Sequence, residues 1–356
     1  MKILHSADWH LDAPLTGRSE GQAAFLRAQL RKIPERIAAL CRREDCRMLL
    51  LSGDLFDGAY TRDSFQAVYE ALSSLGIPVF IAPGNHDFCH PASVYTAERW
   101  PENVTIFTHP AMESRYLPEL DCTVYGAGYT AMDCPALLDG FRAEGAGRWQ
   151  LGVLHGDATA PSSPYCPVSA PQVRDSGLDY LALGHIHKAG SFRSGGSLCA
   201  WPGCPMGHGY DEPGIKGVIL VTLEEQAQAR FLPLDTPRFY DETADVGEDA
   251  LQALSSLLPA AETADFCRVT LTGYSDGLDT AALAAQFPHI PNLELRDRTI
   301  PEKALWSAVG EDSLEGVYFQ ALHDAMDTDS PRLQRCVKLA ARISRQILDG
   351  QEVTLP

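Results

Sequence analysis

No apolar run in the chain approaches the roughly 20 residues that a membrane span needs, and the amino terminus, Met-Lys-Ile-Leu-His-Ser-Ala-Asp, carries no apolar signal core. The expectation is a cytoplasmic protein with no membrane partner. Positive charge is also scarce: 29 Lys and Arg stand against 47 Asp and Glu, for a formal net charge of −18. That balance argues against a nonspecific nucleic-acid binder with a broad basic footprint, so any nucleic-acid contact must come through local patches or bound metals. No C-x-x-C pair occurs among the ten cysteines, and free thiols are expected. Cys41/Cys46 and Cys199/Cys204 are spaced unusually for zinc. No internal repeat is visible. A length of 356 residues points to two domains, or two plus a tail, and an apolar fraction of 45% suits a globular chain with a real core.

What is present is a device repeated at strand ends. Met48-Leu49-Leu50-Leu51 is apolar without interruption, which predicts a buried strand of a parallel sheet. Gly53 permits a sharp turn, and Asp54 follows just past the carboxyl end, where open α/β sheets place their ligands. Four more expected strands behave alike. Residues 2–6 lead into Asp8-Trp9-His10, 79–82 into Pro83-Gly84-Asn85-His86-Asp87, 151–154 into His155-Gly156-Asp157, and 180–183 into Gly184-His185-Ile186-His187. Asp8 and His10, two apart in an extended segment, would point to one side and reach one ion. A single histidine after a strand is ordinarily a turn or core residue. Five strand ends bearing Asp/His, Asp, Asn/His, His and His-x-His are all accounted for by a site for two metals. Strand alternating with helix predicts an α/β fold with a mostly parallel sheet.

Residues 20–44 read as one amphipathic helix with a kink at Pro34. Its basic residues form a solvated face or, on a sharper reading, a phosphate-contacting or homodimer-forming one. Residues 64–75 and 135–144 are expected to be helical and 104–107 and 123–125 to be strands. The stretch 88–150 offers no chemistry. Further on, two strands are expected over 217–222 and 230–232, then a linker with Pro233, Asp235 and Pro237. A small α/β cap follows, with helices over 250–258 and 279–287 and strands over 266–272 and 293–296. From 235 to 300 there are twelve Asp and Glu against four Lys and Arg, a difference of −8, the reverse of what a DNA-gripping cap needs. Two helices, 312–326 and 331–348, flank Thr328-Asp329-Ser330-Pro331, with Ser330 as cap and Pro331 in the first turn. On the last helix Arg335, Lys338, Arg342 and Arg345 form one stripe and Val337, Ala340, Ile343 and Ile347 another. A packed helix with a wet basic face is the simplest reading.

In order along the chain, Asp8-x-His10, Gly53-Asp54-x-x-Asp57, Gly84-Asn85-His86-Asp87, His155 and Gly184-His185-x-His187 resemble the motifs of the calcineurin-like metallophosphoesterases. Finer features are similar to the SbcD-type DNA-repair exonuclease branch: Ala7-Asp8-Trp9-His10-Leu11-Asp12-x-Pro14, Gly53-Asp54-Leu55-Phe56-Asp57, and Trp201-Pro202-Gly203 with Gly217-Val218. The His-Leu-Asp-x-Pro form is similar to a sub-branch of Gram-positive bacteria. The resemblance spans residues 1–235 and fades beyond.

It implies an α/β fold: a metallophosphoesterase-type sheet sandwich flanked by helices, with a small α/β cap and a helical C-terminal tail. The domains would be 1–235 (metallophosphoesterase, nuclease), 236–300 (cap) and 301–356 (helical segment). It further implies one divalent ion on Asp8, His10, Asp54 and His187, and a second on Asp54, Asn85, His155 and His185. His86 would be the catalytic histidine outside both sets. Manganese is the usual metal of this branch, and the ligand types also suit iron or zinc. Some double-strand-break nucleases carry a histidine where this chain has Asp57; here Asp57 looks like the acid that orients the catalytic histidine in related phosphatases. The leading expectation is a DNA-repair exo/endonuclease, with DNA as substrate and an SMC-like ATPase docked on the C-terminal helices. The alternatives are a phosphodiesterase or phosphatase acting on a small molecule or protein, and a binding subunit with a vestigial metal centre.

Overall fold

The computed structural model describes residues 1–247 and 249–350. Glu248, counted above among the cap's acids, and 351–356, the last positions of the expected helical segment, lie outside the described residues. The chain divides into two compact units, Met1–Arg238 and Phe239–Pro356.

The first unit is built as two six-stranded sheets. The first runs in the order Ala227–Pro233, Gly217–Leu223, Lys2–Ser6, Met48–Leu51, Val79–Ile81, Val104–Ile106. Its last four strands are parallel and the first two are added antiparallel. The second sheet runs Glu113–Leu117, Cys122–Gly126, Trp149–His155, Tyr180–Gly184, Ser197–Gly203, Lys188–Ser194. Its middle four strands are parallel and its edges antiparallel.

Ile3, Leu50 and Phe80 of the first sheet share one apolar cluster with Val124, Leu151, Val153 and Ala182 of the second, so the sheets meet face to face. The alternate residues Leu4, Leu49 and Leu51 are fully buried as well, as expected when a parallel sheet is covered on both faces. The carboxyl ends of Lys2–Ser6, Met48–Leu51, Val79–Ile81, Trp149–His155 and Tyr180–Gly184 lead into the five loops singled out above.

Two local expectations are corrected. Residues 20–44 form two helices, Glu20–Leu30 and Ile33–Arg43. Pro34 lies in the first turn of the second helix, where a missing N–H costs nothing, so it starts a helix and does not kink one. No helix forms over 135–144. Pro135 opens the stretch and Gly140 takes φ +67°, and the segment buries Leu138 through turns. The ten cysteines are free, nine of them buried. No helix of the described residues is long and apolar enough to cross a membrane.

The second unit contains a parallel three-stranded sheet in the order Phe239–Asp245, Phe266–Thr272, Asn292–Asp297. Its helices Ala250–Leu257 and Thr280–Ala284 lie between those strands in the chain. Helices Leu314–Asp324 and Pro331–Leu348 follow; Ser330 caps the latter by accepting from the Leu333 N–H, with Pro331 in the first turn. Three of the four bases in that helix's stripe are paired inside the unit, and Arg335 is exposed. Lys338 pairs with Glu302 at 3.0 Å, Arg342 with Asp245, and Arg345 with Glu315 while lying 4.4 Å over the Phe319 ring. An acid-rich unit supplies nearby carboxylates, so these bases are spent inside it. Burial on the same helix falls on Val337 and Ala341, and Ile347 is exposed.

Candidate metal centre

The Asp8/His10 pair converges by a route the sequence did not predict. The two residues are not extended: Asp8 takes φ 54° and His10 φ 45°, and Asp54 (φ 52°) and His185 (φ 95°) are also left-handed. Such a conformation costs a non-glycine residue on the order of 1–3 kcal/mol and persists only where the surroundings over-determine it. Here the Asp8 N–H donates to the Gly53 carbonyl and the His10 N–H to the Asp54 carbonyl, each at 3.0 Å. Glycine is needed where the loops touch. A Cβ on Gly84 would meet Asp54 Oδ1 at 2.2 Å, and one on Gly53, itself at φ +89°, would meet His155 Nδ1 at 2.4 Å. Asp87 braces the same loops. Its carboxylate accepts from the N–H groups of Leu55 (2.7 Å), Phe56 (3.2 Å) and Gly84 (2.9 Å) and from the Tyr95 hydroxyl (2.6 Å).

The seven residues expected to be ligands come together. Asp54 Oδ2 lies 3.3 Å from His155 Nε2 and 3.7 Å from His10 Nε2, so it faces both sides of the centre. His10 Nε2 is 3.1 Å from His187 Nε2. Asn85 Oδ1 is 2.9 Å from His155 Nε2 and 3.2 Å from His185 Nδ1. Ligand atoms of Asp8, His10 and His187 lie within 4.8 Å of one another, as do those of Asp8, Asp54 and His155, and of His10, Asp54 and His86.

Three histidines share one arrangement. Each has Nδ1 against a protein oxygen: His155 against the Ser52 carbonyl (2.9 Å), His10 against Asp57 (3.1 Å), and His187 against Glu212. An Nδ1–H given to that oxygen leaves the Nε2 lone pair facing inward, which is how a metal-binding imidazole is held.

The charges are concentrated and buried. Burial works against a proton on His155, but Asp54, Asp8 and the Ser52 carbonyl together outweigh it and push the imidazole up to about 9. Burial likewise opposes the charged form of Asp54, and the imidazoles around it, His155 foremost, pull its pKa down. His185 is lowered by burial and by the neighbouring His155.

A divalent ion competes with the proton on His155, so its binding releases protons. Below pH 9 the metal-free imidazole holds that proton, and raising the pH removes the competitor. Manganese affinity is therefore expected to rise from pH 6 to pH 8, with proton release that titration calorimetry measures in buffers of different ionisation heat. Affinity independent of pH would contradict this arrangement.

The two residues expected to be catalytic lie at the edge. Asp57 Oδ1 is 2.6 Å from His86 Nδ1 and also 3.1 Å from His10 Nδ1, so one carboxylate serves both imidazoles. The hydrogen bond that His86 Nδ1–H donates to Asp57 raises the His86 pKa against the opposing effect of burial. The His86 side chain is 45% exposed, whereas Asp54 and Asn85 beside it are buried.

Sequence reasoning missed Glu212 and His208. Glu212 Oε2 accepts from the His208 N–H (2.7 Å) and lies 3.1 Å from His208 Nδ1, and the His208 ring stands edge-on to His10 at 5.6 Å between centroids. The signal available was a His and a Glu four apart in a turn-rich stretch after Trp201-Pro202-Gly203. Of the cysteines weighed as metal pairs, Cys199 lies in an apolar cluster and Cys204 Sγ contacts Glu212 at 3.6 Å.

The family model described as calcineurin-like phosphoesterase matches residues 1–189, more than half of the chain. The chain belongs to the calcineurin-like phosphoesterase family. It is similar to the uncharacterized metallophosphoesterase YhaO of Bacillus subtilis (strain 168), with 32% identity over 238 residues, 62% of this chain and 57% of that protein. The chain thus spans little more than half the length of that relative. Among solved structures it is similar to a dimetal phosphatase from Danio rerio (13% identity, TM-score 0.43, 65% of this chain and 95% of that one). It is also similar to the protein TT1561 of Thermus thermophilus (15% identity, TM-score 0.39, 65% and 98%).

The calcineurin-like phosphoesterase family uses two divalent metals, and this chain's residues fit such a pair. Asp8 is fully buried, and its Oδ1 accepts from the His185 N–H at 2.9 Å. Its Oδ2 is buried with no hydrogen-bond partner. A carboxylate oxygen taken from water and left unpaired is costly unless a cation meets it. The donor set around it, carboxylate, amide and imidazole without thiolate, suits first-row divalent ions.

Proposed function

We propose that the protein is a metal-dependent phosphodiesterase of the SbcD-type nuclease branch, hydrolysing phosphodiester bonds of DNA. The observation that carries the chemistry is the inward-facing Nε2 set of His10, His155 and His187 around Asp54. One ion would be held by Asp8, His10, Asp54 and His187, the other by Asp54, Asn85, His155 and His185. Bound there, a divalent pair lowers the pKa of a water and neutralises charge on the phosphate oxygens.

The chain's own groups do the rest. Asn85 has its Oδ1 beside His155 and His185 and its amide N–H against Met132 Sδ at 4.0 Å, a weak acceptor that a phosphate oxygen would displace. Asp57 holds His86 through Nδ1 and favours the imidazolium, so His86 donates a proton to the leaving oxygen. Its exposure puts that proton within reach of a bound polymer or small molecule. Manganese is the proposed metal, and an SMC-like ATPase is the proposed partner of the C-terminal helices. Exposed Leu314 and Val317 support that docking site.

One observation favours a second substrate class, a small phosphodiester or a phosphoprotein. Bases of the second unit are spent on its own carboxylates, Arg268 on Asp241 and Arg296 on Glu294 (2.6 Å), besides those of the last helix. Manganese-dependent hydrolysis of single- and double-stranded DNA, beside a chromogenic phosphodiester and a phosphomonoester, separates the readings. DNA cleavage outpacing the chromogenic diester supports the nuclease. Diester turnover with intact DNA transfers the chemistry to the second class.

A further inference from the structure

We propose that Glu212 is a positioning residue of the metal centre, its carboxylate holding the His187 ring in the orientation that presents Nε2 to the first ion. The proposal rests on the two-ion reading above.

His10 and His155, the other histidines anchored through Nδ1, are buried (4% and 0% exposed). The His187 side chain sits at the rim, 32% exposed. Packing alone does not fix a ring there, so its orientation depends on the oxygen at Nδ1, and that oxygen is Glu212 Oε1.

Glu212 is itself immobilised on its other oxygen. Oε2 meets the His208 N–H, His208 Nδ1 and Cys204 Sγ, and the Glu212 N–H donates to the Gly209 carbonyl at 3.1 Å. One oxygen is thus tied to the 204–212 turn and the other is given to the imidazole. A fixed acceptor selects the tautomer and angle of a metal-binding histidine, and loss of such a partner typically costs 10–100-fold in metal affinity. A residue that served only to close the turn would need Oε2 and leave Oε1 to water.

The test is calorimetric titration of Mn²⁺ into the chelator-treated full chain, for wild type and for Glu212→Ala, Glu212→Gln and His208→Ala, with metal-free melting temperature as the control for folding. Glu212→Ala is expected to weaken one of two Mn²⁺ sites by roughly 10–100-fold and leave the other within about threefold. Glu212→Gln, which keeps one acceptor oxygen for Nδ1–H, recovers roughly threefold or more of that loss. His208→Ala, which removes the ring on the Oε2 side and keeps the backbone N–H that Oε2 accepts from, weakens the same site by less than Glu212→Ala does. Both affinities unchanged in a folded Glu212→Ala chain would overturn the proposal. So would equal weakening of both sites that glutamine fails to relieve. A wild-type chain binding fewer than two ions would overturn the two-ion reading itself, a separate failure.

Discussion

The Asp54→Ala chain is expected to lose hydrolysis and to lose the rise in melting temperature that manganese confers on wild type. Asp54 is 1% exposed and is the carboxylate whose Oδ2 approaches Nε2 on both sides of the centre. Alanine withdraws one charge from the donor set of both ions. Lewis-acid stabilisation is worth several kcal/mol, and at about 1.4 kcal/mol per tenfold its loss slows turnover roughly 10³-fold or more. The stability readout is independent of any substrate. An ion at about 100 times its dissociation constant adds ~2.7 kcal/mol to the folded state, or roughly 5–10 °C for a unit of this size. Wild type should show that shift with millimolar Mn²⁺ by differential scanning fluorimetry, and Asp54→Ala should not. A variant that keeps both the shift and the rate would remove Asp54 from the centre.

His86→Ala separates proton transfer from metal binding. His86 touches the centre through the Asp57 carboxylate and through its own N–H, which donates to Asp54 Oδ1 at 2.9 Å. The backbone bond survives the substitution. The ions should therefore bind as in wild type, with kcat lowered about 10²–10⁴-fold, the usual worth of a positioned general acid. The pH profile carries a second signature. A raised His86 pKa keeps the acid form present to higher pH than an ordinary imidazole would, and activity falls as pH rises through that pKa; in the alanine variant this limb should disappear. Asp57 behaves differently, because it also holds His10. Asp57→Asn should lower metal affinity as well as kcat, whereas His86→Ala lowers kcat alone. Kinetics with ICP-determined metal content distinguishes the two.

The ligand types were legible in the sequence because each follows a short strand, the clearest being the uninterrupted apolar run 48–51. Met48–Leu51 reads as buried whatever surrounds it, and Asp54 must then fall at the sheet's end. The route by which they converge was not legible. Asp8 and His10 share a side through left-handed turns held by the Gly53 and Asp54 carbonyls, not through strand pleating, and no local pattern encodes a bond to a loop over forty positions away. Glu212 was hidden for a related reason: an acid beside Asp211 in a Gly- and Pro-rich stretch looks like a turn residue until the fold sets it beside His187. Pro34 looked like a kink because helical periodicity continues across Arg31 and Lys32, where the chain starts a new helix. Lys338, Arg342 and Arg345 of the last helix looked wet because their partners, Glu302, Asp245 and Glu315, come from three separate segments.

Crystals grown with manganese, measured on both sides of its absorption edge, test the central claim most directly. The account predicts two anomalous peaks roughly 3.5–4 Å apart, with Asp54 between them, His10 and His187 on one and His155 and His185 on the other. No peak at Asp54, or a single ion with His155 and His187 turned away from it, would contradict the account.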